Sequence, residues 1–290
     1  MKPDFLTASS IKKMIPSRTR DSHKGKNGHV LIVAGSRGMS GAAVLSALGA
    51  LRIGAGLVTV AMPESERAVL TRIVPEALSL PLPESSKGAV AAGSLNIVNS
   101  YIERRRINAA AVGPGLSVAP AIGALIKKIL RTWKLPLVLD ADGLNNVAAS
   151  DLKGYPALII TPHPVELSRL IKEDPRVVQA DRSGVAENTA RKYGLTCVLK
   201  GFQTVISDKT RTRINPTGTP AMATGGMGDV LTGMIAGLLA QGLKPWEAAC
   251  SGVYLHGLAG ELAAVADRGI LARDVAAAVP QALRRIGKTL

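Results

Sequence analysis

A glycine-rich segment at residues 215–233 has the residue types and spacing to bind a phosphate group and act on it. Gly225, Gly226 and Gly228 have no side chains, so backbone N–H groups can approach a ligand oxygen closely. An apolar run at residues 230–242 predicts a helix, whose positive dipole end and unpaired N–H groups would face the same point. The segment therefore predicts an anion-binding site at a helix N-terminus.

Asp229 follows these glycines directly. A carboxylate repels a phosphate, so it is poorly suited to holding one, but it can take a proton from a hydroxyl that attacks the phosphate. The alternative is that Asp229 only caps the helix, as Asp often does. A cap alone does not require so many neighbouring glycines, and the pattern therefore favours a catalytic base at Asp229.

The elements that must position these residues alternate between strand-like and helix-like runs. Most strand-like runs end in loops rich in Gly, Pro or polar residues and then enter a helix, which is the pattern of an α/β fold with a mainly parallel sheet. The predicted strands are residues 29–34, 57–61, 108–112, 135–139, 157–160 and 196–199, followed by short β segments at 205–208 and 211–214. After Asp229 the chain reads as helix almost to its end.

Ligands of parallel sheets bind outside the carboxyl ends of the strands. The loops after the predicted strands would therefore lie on one rim and form one composite site. This reasoning places the following residues on the rim: Gly41, Gly115, Asp140, Asp142, His163, Glu166 and Lys200.

Several rim motifs have more than one interpretation. Gly35, Gly38 and Gly41 lack the spacing of a dinucleotide fingerprint, which disfavours a conventional NAD-dependent oxidoreductase. Their loop could still bind a phosphate-bearing ligand, or it could be a strand-to-helix turn. His163 and Glu166 could bind a ligand or form a helix-capping turn.

The other rim motifs are equally open. Lys200 could neutralise nucleotide phosphates and Thr204 could hydrogen-bond a ribose or phosphate, or both could belong to an ordinary turn. Asp140 and Asp142 form a carboxylate pair that suggests Mg²⁺ bound through water. Asp142 could equally cap a helix at residues 143–149.

Composition narrows the class of protein. The chain has 290 residues, 47% of them hydrophobic but only 3% aromatic, which suits strands of small aliphatic residues covered by helices. The net charge of +15 suggests nucleic acid, but the sequence has no aromatic stacking platform, helix-turn-helix or zinc pattern, and a basic surface also steers polyphosphate ligands.

The sequence also predicts where the protein resides. No signal peptide or apolar membrane span is recognisable, and Cys197 and Cys250 suggest a reducing compartment, so we expect a cytoplasmic protein without membrane partners. We expect one domain over residues 1–290, in which residues 1–25 form a loosely held basic helical segment.

Taken together, these motifs resemble the ADP/ATP-dependent NAD(P)H-hydrate dehydratase family of the ribokinase-like superfamily. The resemblance implies a three-layer sandwich without a separate lid domain. The matching segments occur in family order, between Lys24 and about His256, at residues 24–36, 41–43, 113–116, 140–145, 161–166, 200–201 and 215–233.

The resemblance implies that ADP or ATP, with Mg²⁺, is used to dehydrate the S epimer of hydrated NADH or NADPH. Asp229 would deprotonate the C6 hydroxyl, which attacks the terminal phosphate, and elimination of phosphate would then restore NAD(P)H. The matching substrate-binding residues are Ala42, Gly115, His163 and Asp229. The matching nucleotide-binding residues are Lys200, Gly201, Phe202, Gln203, Thr204, Gly225, Gly226 and Gly228.

The resemblance also implies a homo-oligomer, a tetramer in particular, working with an epimerase that would be a separate protein. Ser117 departs from the family pattern, which often has Gly at this point. The alternative function is a small-molecule kinase of the same superfamily, acting on a thiazole or hydroxymethylpyrimidine alcohol. A nucleic-acid-binding protein is the alternative from another class.

Overall fold

The computed structural model describes residues 4–91 and 93–287 and has a nine-stranded sheet in the order β3-β2-β1-β4-β5-β6-β7-β8-β9. Strands β1 to β7 are parallel, whereas β8 and β9 add to one edge as an antiparallel pair. The strands are β1 (His29–Val33), β2 (Leu57–Pro63), β3 (Leu78–Leu82), β4 (Ala109–Val112), β5 (Leu137–Leu139), β6 (Leu158–Ile160), β7 (Thr196–Leu199), β8 (Val205–Ser207) and β9 (Thr212–Ile214).

Helices cover both faces of this sheet, because its central strands are apolar on both sides. Val30 and Ile32 of β1 join one hydrophobic core, and Leu31 and Val33 join the other. The helices of the first face are α1 (Ala8–Met14), α2 (Ser40–Arg52), α3 (Arg67–Ile73), α10 (Met227–Ala240), α11 (Pro245–Ala263) and α12 (Ala272–Arg285). Those of the second are α4 (Ser94–Arg105), α5 (Pro120–Thr132), α6 (Asp142–Asn145), α7 (Pro164–Ile171), α8 (Pro175–Ala180) and α9 (Arg182–Tyr193).

The predicted three-layer sandwich with a mainly parallel sheet is confirmed. All the strands named within the described ranges belong to this sheet, so these ranges contain no second sheet that could form a lid. None of the described helices has the length and apolar character needed to cross a membrane. Cys197 and Cys250 are both buried as free thiols.

Strand β3 is the element that the sequence reasoning missed. Pro81 lies inside it and cannot donate a hydrogen bond to a neighbouring strand, which argues against a strand in the middle of a sheet. In the structure β3 is an edge strand that pairs only with β2, and Pro81 is opposite Met62. An edge position tolerates proline because one side of the strand needs no donor.

Over residues 4–15 the N-terminal segment is held more firmly than its basic composition suggested. Helix α1 is only seven residues long, and Ile11 on it is fully buried, as is Leu6 just before it. The backbone at residues 4–6 pairs with the outer edge of β9, since Leu6 N donates to Ile214 O at 2.9 Å and Ile214 N donates to Asp4 O at 3.0 Å. Apolar burial and backbone pairing thus anchor this segment despite its basic composition.

The strand order reverses at β1, which has β2 on one side and β4 on the other. Chain connections leave this point in opposite directions, and in such sheets the general rule places a ligand crevice here, at the loops after β1 and β4. The two loops are joined there, because Gly35 N donates to Pro114 O at 2.8 Å and Ser36 Oγ donates to Gly115 O at 2.9 Å. The fold therefore brings the loops after β1 and β4 together at the predicted rim.

Helices α2 and α10 pack with their backbones in close contact. A methyl group at Gly233 would overlap the Ser46 carbonyl oxygen, and one at Gly49 would overlap the Val230 carbonyl oxygen. The absence of side chains at these two glycines lets α10 lie flat on α2, which fixes where the N-terminus of α10 is placed.

We expect Gly233→Ala to destabilise the protein by about 1–3 kcal/mol, because the added methyl group forces the two helices apart. Since each kcal/mol of lost stability lowers the melting temperature by roughly 2–4 °C, the melting temperature should fall by several degrees. The matched control is Gly41→Ala on α2, where an added methyl group meets no atom within 4 Å. Equal melting temperatures for the two variants would contradict the close-packing argument.

Candidate active site

Asp229 lies in the first turn of α10. The helix is preceded by Gly226 at φ +86°, a left-handed conformation in which a side chain would also collide with Leu45. Asp229 is the third residue of the helix, and no side-chain capping hydrogen bond is made at this N-terminus. The alternative that Asp229 merely caps the helix is therefore not supported.

The start of α10 has the unpaired amides that an anion site requires. Its first intrahelical bond is from Val230 N to Gly226 O at 3.2 Å, so the amides of the preceding residues have no carbonyl within the helix to bind. Gly225 is exposed and has open space around it. A methyl group at Gly228 would lie 3.4 Å from Lys200 Nζ, so glycine here keeps the space beside the ammonium open.

A buried carboxylate, Asp140, connects three elements beneath this point. Its Oδ1 accepts a hydrogen bond from Lys200 Nζ at 2.8 Å, and its Oδ2 accepts one from Thr232 Oγ1 at 2.6 Å. Lys200 Nζ also lies 3.7 Å from Glu166 Oε2. The ends of β5 and β7 and the second turn of α10 are thereby joined by one charged network.

Burial and this network together set the protonation of Asp229. Burial is the largest cause that raises the pKa of Asp229; the charges of Asp140, Asp142 and Glu166 also raise it and Lys200 lowers it, and the combined result is a pKa of about 7. No donor in the described part of the chain is hydrogen-bonded to the Asp229 carboxylate. A carboxylate with a pKa near neutrality and a free acceptor has the properties of a general base.

Lys200 itself is held as an ammonium. Burial alone would lower the pKa of Lys200, but the charges of Asp140 and Glu166 and the bond to Asp140 together raise it. Its predicted contact with nucleotide phosphates remains a prediction, because in the structure the ammonium pairs with these carboxylates.

His163 and Glu166 form the predicted helix-capping turn at the start of α7. His163 Nδ1 accepts from Glu166 N at 3.3 Å, and Glu166 Oε2 accepts from His163 N at 2.7 Å. The His163 side chain remains about half exposed (49%) on the rim. Its predicted contact with the substrate remains a prediction.

The crevice at the strand reversal contains the other predicted substrate residues. A methyl group at Gly115 would lie 3.1 Å from the Ala42 side chain, so these two residues face each other. Ser117 has φ +72°, which explains why glycine is common there, and its N–H donates to Asp142 Oδ2 at 2.8 Å. Asp142 thus orders the loop after β4 instead of capping a helix at 143–149, since α6 begins at Asp142 itself.

A cavity of about 830 Å³ lies on the other side of the α10 N-terminus. This volume is in the range of small-molecule sites. Residues 200–204 and Gly228 line it, as predicted for a nucleotide site, while Gly225 and Gly226 lie beside it at the helix start. Arg182 donates to the carbonyls of Leu199, Lys200 and Phe202 and so fixes one wall.

The opposite wall is equally ordered. Gly218 N donates to Glu261 Oε1 at 2.7 Å, and Thr217 Oγ1 donates to Tyr254 O at 2.8 Å. These bonds tie the loop before α10 to α11. The cavity is therefore largely formed before any ligand enters.

The described residues do not form a protein-only metal cage. No group of three or more His, Cys, Asp or Glu side chains within residues 4–91 and 93–287 is arranged to hold a metal ion. The oxygens of Asp140 accept hydrogen bonds from Lys200 and Thr232, and those of Asp142 from Ser117 and Asn145. The suggestion that Asp140 and Asp142 bind Mg²⁺ through water remains a prediction, since in the structure their oxygens accept hydrogen bonds from protein groups.

Three residues of the site were not found from the sequence. Thr232 lies on α10 within the glycine-rich segment but was given no role there, whereas His256 on α11 and Phe5 in the N-terminal segment belong to no recognised motif. His256 and Phe5 line the cavity, and Thr232 binds Asp140. Only the helical spacing of Asp229 and Thr232, three residues apart, could have indicated that both face the same way.

Fold and site together define a ribokinase-like α/β protein with a cavity of nucleotide size beside the helix N-terminus that carries Asp229. Comparison with known proteins agrees. A sequence model of the NAD(P)H-hydrate dehydratase family matches residues 30–281. The chain therefore belongs to the NAD(P)H-hydrate dehydratase family.

Individual relatives support this assignment. A bifunctional NAD(P)H-hydrate repair enzyme from Moorella thermoacetica is 42% identical over 97% of this chain, which spans 54% of that enzyme, or about half its length. An ADP-dependent (S)-NAD(P)H-hydrate dehydratase from Neisseria meningitidis is 37% identical, covering 98% of this chain and 94% of that protein. An ADP/ATP-dependent NAD(P)H-hydrate dehydratase from Bacillus subtilis, co-crystallised with ATP and Mg²⁺, superposes with a TM-score of 0.83 at 31% identity over 99% of both chains.

The raised pKa of Asp229 predicts a pH-dependent stability. The ordinary pKa of Asp229 is 3.8, and its pKa in the folded protein is about 7. Between these two pH values, Asp229 holds a proton in the folded protein that it has lost in the unfolded chain. The free energy of unfolding therefore falls as the pH rises through this window. In Asp229→Asn this loss is absent. Between pH 5 and pH 8, we expect the free energy of unfolding of the variant to gain on the order of 2 kcal/mol relative to that of the wild type, as measured by urea unfolding.

The control for this measurement is Asp267→Asn. Asp267 is exposed and bonded to Arg268, which lowers its pKa, so it does not titrate between pH 5 and pH 8. Parallel pH dependences for the wild type and Asp229→Asn would show that Asp229 titrates normally and is not the shifted group.

Proposed function

We propose that this protein uses ADP or ATP to dehydrate the S epimer of hydrated NADH or NADPH, releasing phosphate and AMP or ADP. The observation that carries the proposal is the position of Asp229. The charge of Asp142, which orders the substrate crevice, raises the pKa of Asp229, and the charge of Lys200, which lines the nucleotide cavity, lowers it. Asp229 is therefore near both of these groups. A base within reach of both ligand sites is what transfer between a hydroxyl and a phosphate requires.

The names of the relatives support the choice of substrate. The Neisseria protein, of nearly the same length as this chain, is described as ADP-dependent, and the Bacillus protein as ADP/ATP-dependent. We therefore favour ADP as the phosphate donor. The two-sided site also fits two large ligands, a dinucleotide in the crevice between the loops after β1 and β4 and a nucleotide in the cavity.

In the proposed reaction, Asp229 accepts the proton of the C6 hydroxyl while the hydroxyl oxygen attacks the terminal phosphorus of the nucleotide. The bond from that phosphorus to the bridging oxygen breaks, and AMP leaves when ADP is the donor. The amides at the start of α10 stabilise the charge that develops on the transferred phosphoryl group. The lone pair of the ring nitrogen then expels phosphate from C6, and loss of the C5 proton restores the C5–C6 double bond.

Mg²⁺ fits this site as a companion of the nucleotide. Mg²⁺ in nucleotide sites is usually held by phosphate oxygens and water with only one or two carboxylates. Glu166 and Asp140 are the carboxylates beside Lys200 that a hydrated ion could approach. The ion would neutralise phosphate charge, while positioning remains the task of the protein groups.

Assembly and partners stay predictions. A homotetramer and a separate epimerase that supplies the S epimer are compatible with the family, and the bifunctional relatives are about twice as long as this chain. Size-exclusion chromatography with light scattering would determine the oligomeric state directly.

The direct test is absorbance at 340 nm with hydrated NADH, Mg²⁺ and either ADP or ATP. We expect a nucleotide-dependent rise, and we expect Asp229→Asn to reduce the rate by at least about 10²–10⁴-fold, since general base catalysis contributes that much. Asp267→Asn, on the exposed surface, should keep wild-type activity and serves as the matched control.

A different outcome would separate the candidate functions. If no rise occurs with folded protein, and labelled phosphate is instead transferred to a stable thiazole or hydroxymethylpyrimidine alcohol, the small-molecule kinase is the correct function. Near-normal turnover by Asp229→Asn would remove the base role whichever substrate is used.

Activity should also depend on pH in a defined direction. Asp229 must be ionised to accept a proton, and its pKa is raised to about 7, so kcat/KM should rise about tenfold per pH unit below 7 and level off above it. The measurement is the kcat/KM profile between pH 5.5 and pH 9. A flat profile below pH 7 would contradict the assignment of Asp229 as the titrating base.

A further inference from the structure

The only two phenylalanines of the chain line the same cavity, although they are nearly 200 residues apart. Phe202 is 87% exposed and Phe5 is 38% exposed, which is unusual for large apolar side chains. Phe202 belongs to the predicted nucleotide segment. Phe5 precedes the residues matched by the family model, and no motif had assigned it a role.

Phe5 is held in place from both sides. Its neighbours pair with β9 through the backbone, Asp4 bonds to Arg213 at 2.7 Å, and Leu6 is buried in the core. Thr7 then caps α1. The ring therefore stands at a fixed position in the cavity wall, in a segment ordered by contacts that do not depend on a ligand.

His256 contributes an unusual polar atom to the same cavity. Its side chain is only 8% exposed, and its Nε2 has no hydrogen-bond partner among the described residues. Burial lowers the pKa of His256 to about 4, with the Met227 backbone opposing and Lys200 adding to this shift, so the ring is neutral at pH 7. A buried nitrogen without a partner is costly unless a ligand completes its bonding.

We propose that Phe5 and His256 recognise the nucleoside part of the phosphate donor. The start of α10 and Gly228 define the phosphate end of the cavity, so the base and ribose must occupy the remainder. The face of Phe5 packs against the base, and His256, which contacts the Met227 backbone at the start of α10, hydrogen-bonds through Nε2 a polar group of the ribose next to the phosphates. This inference rests on the proposed function, and it makes the N-terminal segment part of the nucleotide site.

The test measures Mg-ADP binding by isothermal titration calorimetry without the hydrated dinucleotide. Phe5→Ala and His256→Phe should each weaken binding by roughly 5- to 100-fold, in line with base stacking and hydrogen-bond losses of about 1–3 kcal/mol. Phe5→Tyr keeps the ring and His256→Gln keeps a polar group, so both should retain most of the affinity. Val265→Ala, at a fully exposed apolar residue, is the surface control.

Steady-state kinetics then separate recognition from structural damage. Phe5→Ala should raise KM for ADP while leaving KM for hydrated NADH and the melting temperature close to wild type. Unchanged Mg-ADP affinity in both Phe5→Ala and His256→Phe would overturn the inference and leave the proposed function intact. Wild-type protein that binds neither Mg-ADP nor Mg-ATP would overturn the proposed function itself and this inference with it.

Discussion

The site depends on the buried carboxylate of Asp140. A buried charge is strongly unfavourable without partners, so Lys200 and Thr232 must be present where they are. Satisfying Asp140 joins the ends of β5 and β7 to α10. Burial is the largest cause of the raised pKa of Asp229, and the charge of Asp140 adds to it while Lys200 opposes it, so this interaction contributes to both the geometry and the protonation of the proposed base.

Helix α10 has two constraints that meet at Asp229. Along its length, Gly233 lets it lie directly on α2, which follows the first loop of the crevice. At its start, Gly226 turns the chain in a left-handed conformation that only glycine adopts without strain. The glycines thus serve two purposes: those within the helix set its position, and those before it leave room for a phosphate.

Much of this arrangement could be predicted because parallel strands place their terminal loops on one rim, and each loop had a local motif. The missing parts are those for which no local pattern exists. Strand β3 was hidden by Pro81, which only an edge position tolerates, and the bond from Thr232 to Asp140 spans 92 residues. Phe5 and His256 enter the cavity through packing of distant segments, which the sequence alone does not reveal.

The electrostatics of the site also explain why a basic protein would need a metal with its nucleotide. The net charge of the whole chain is +15, yet the described groups that act on Asp229 are three carboxylates and one ammonium. Near Asp229 the local charge is therefore negative, and a bare nucleotide diphosphate would be repelled there. A divalent cation on the phosphates would reverse that repulsion, which agrees with the proposed arrival of Mg²⁺ together with the nucleotide.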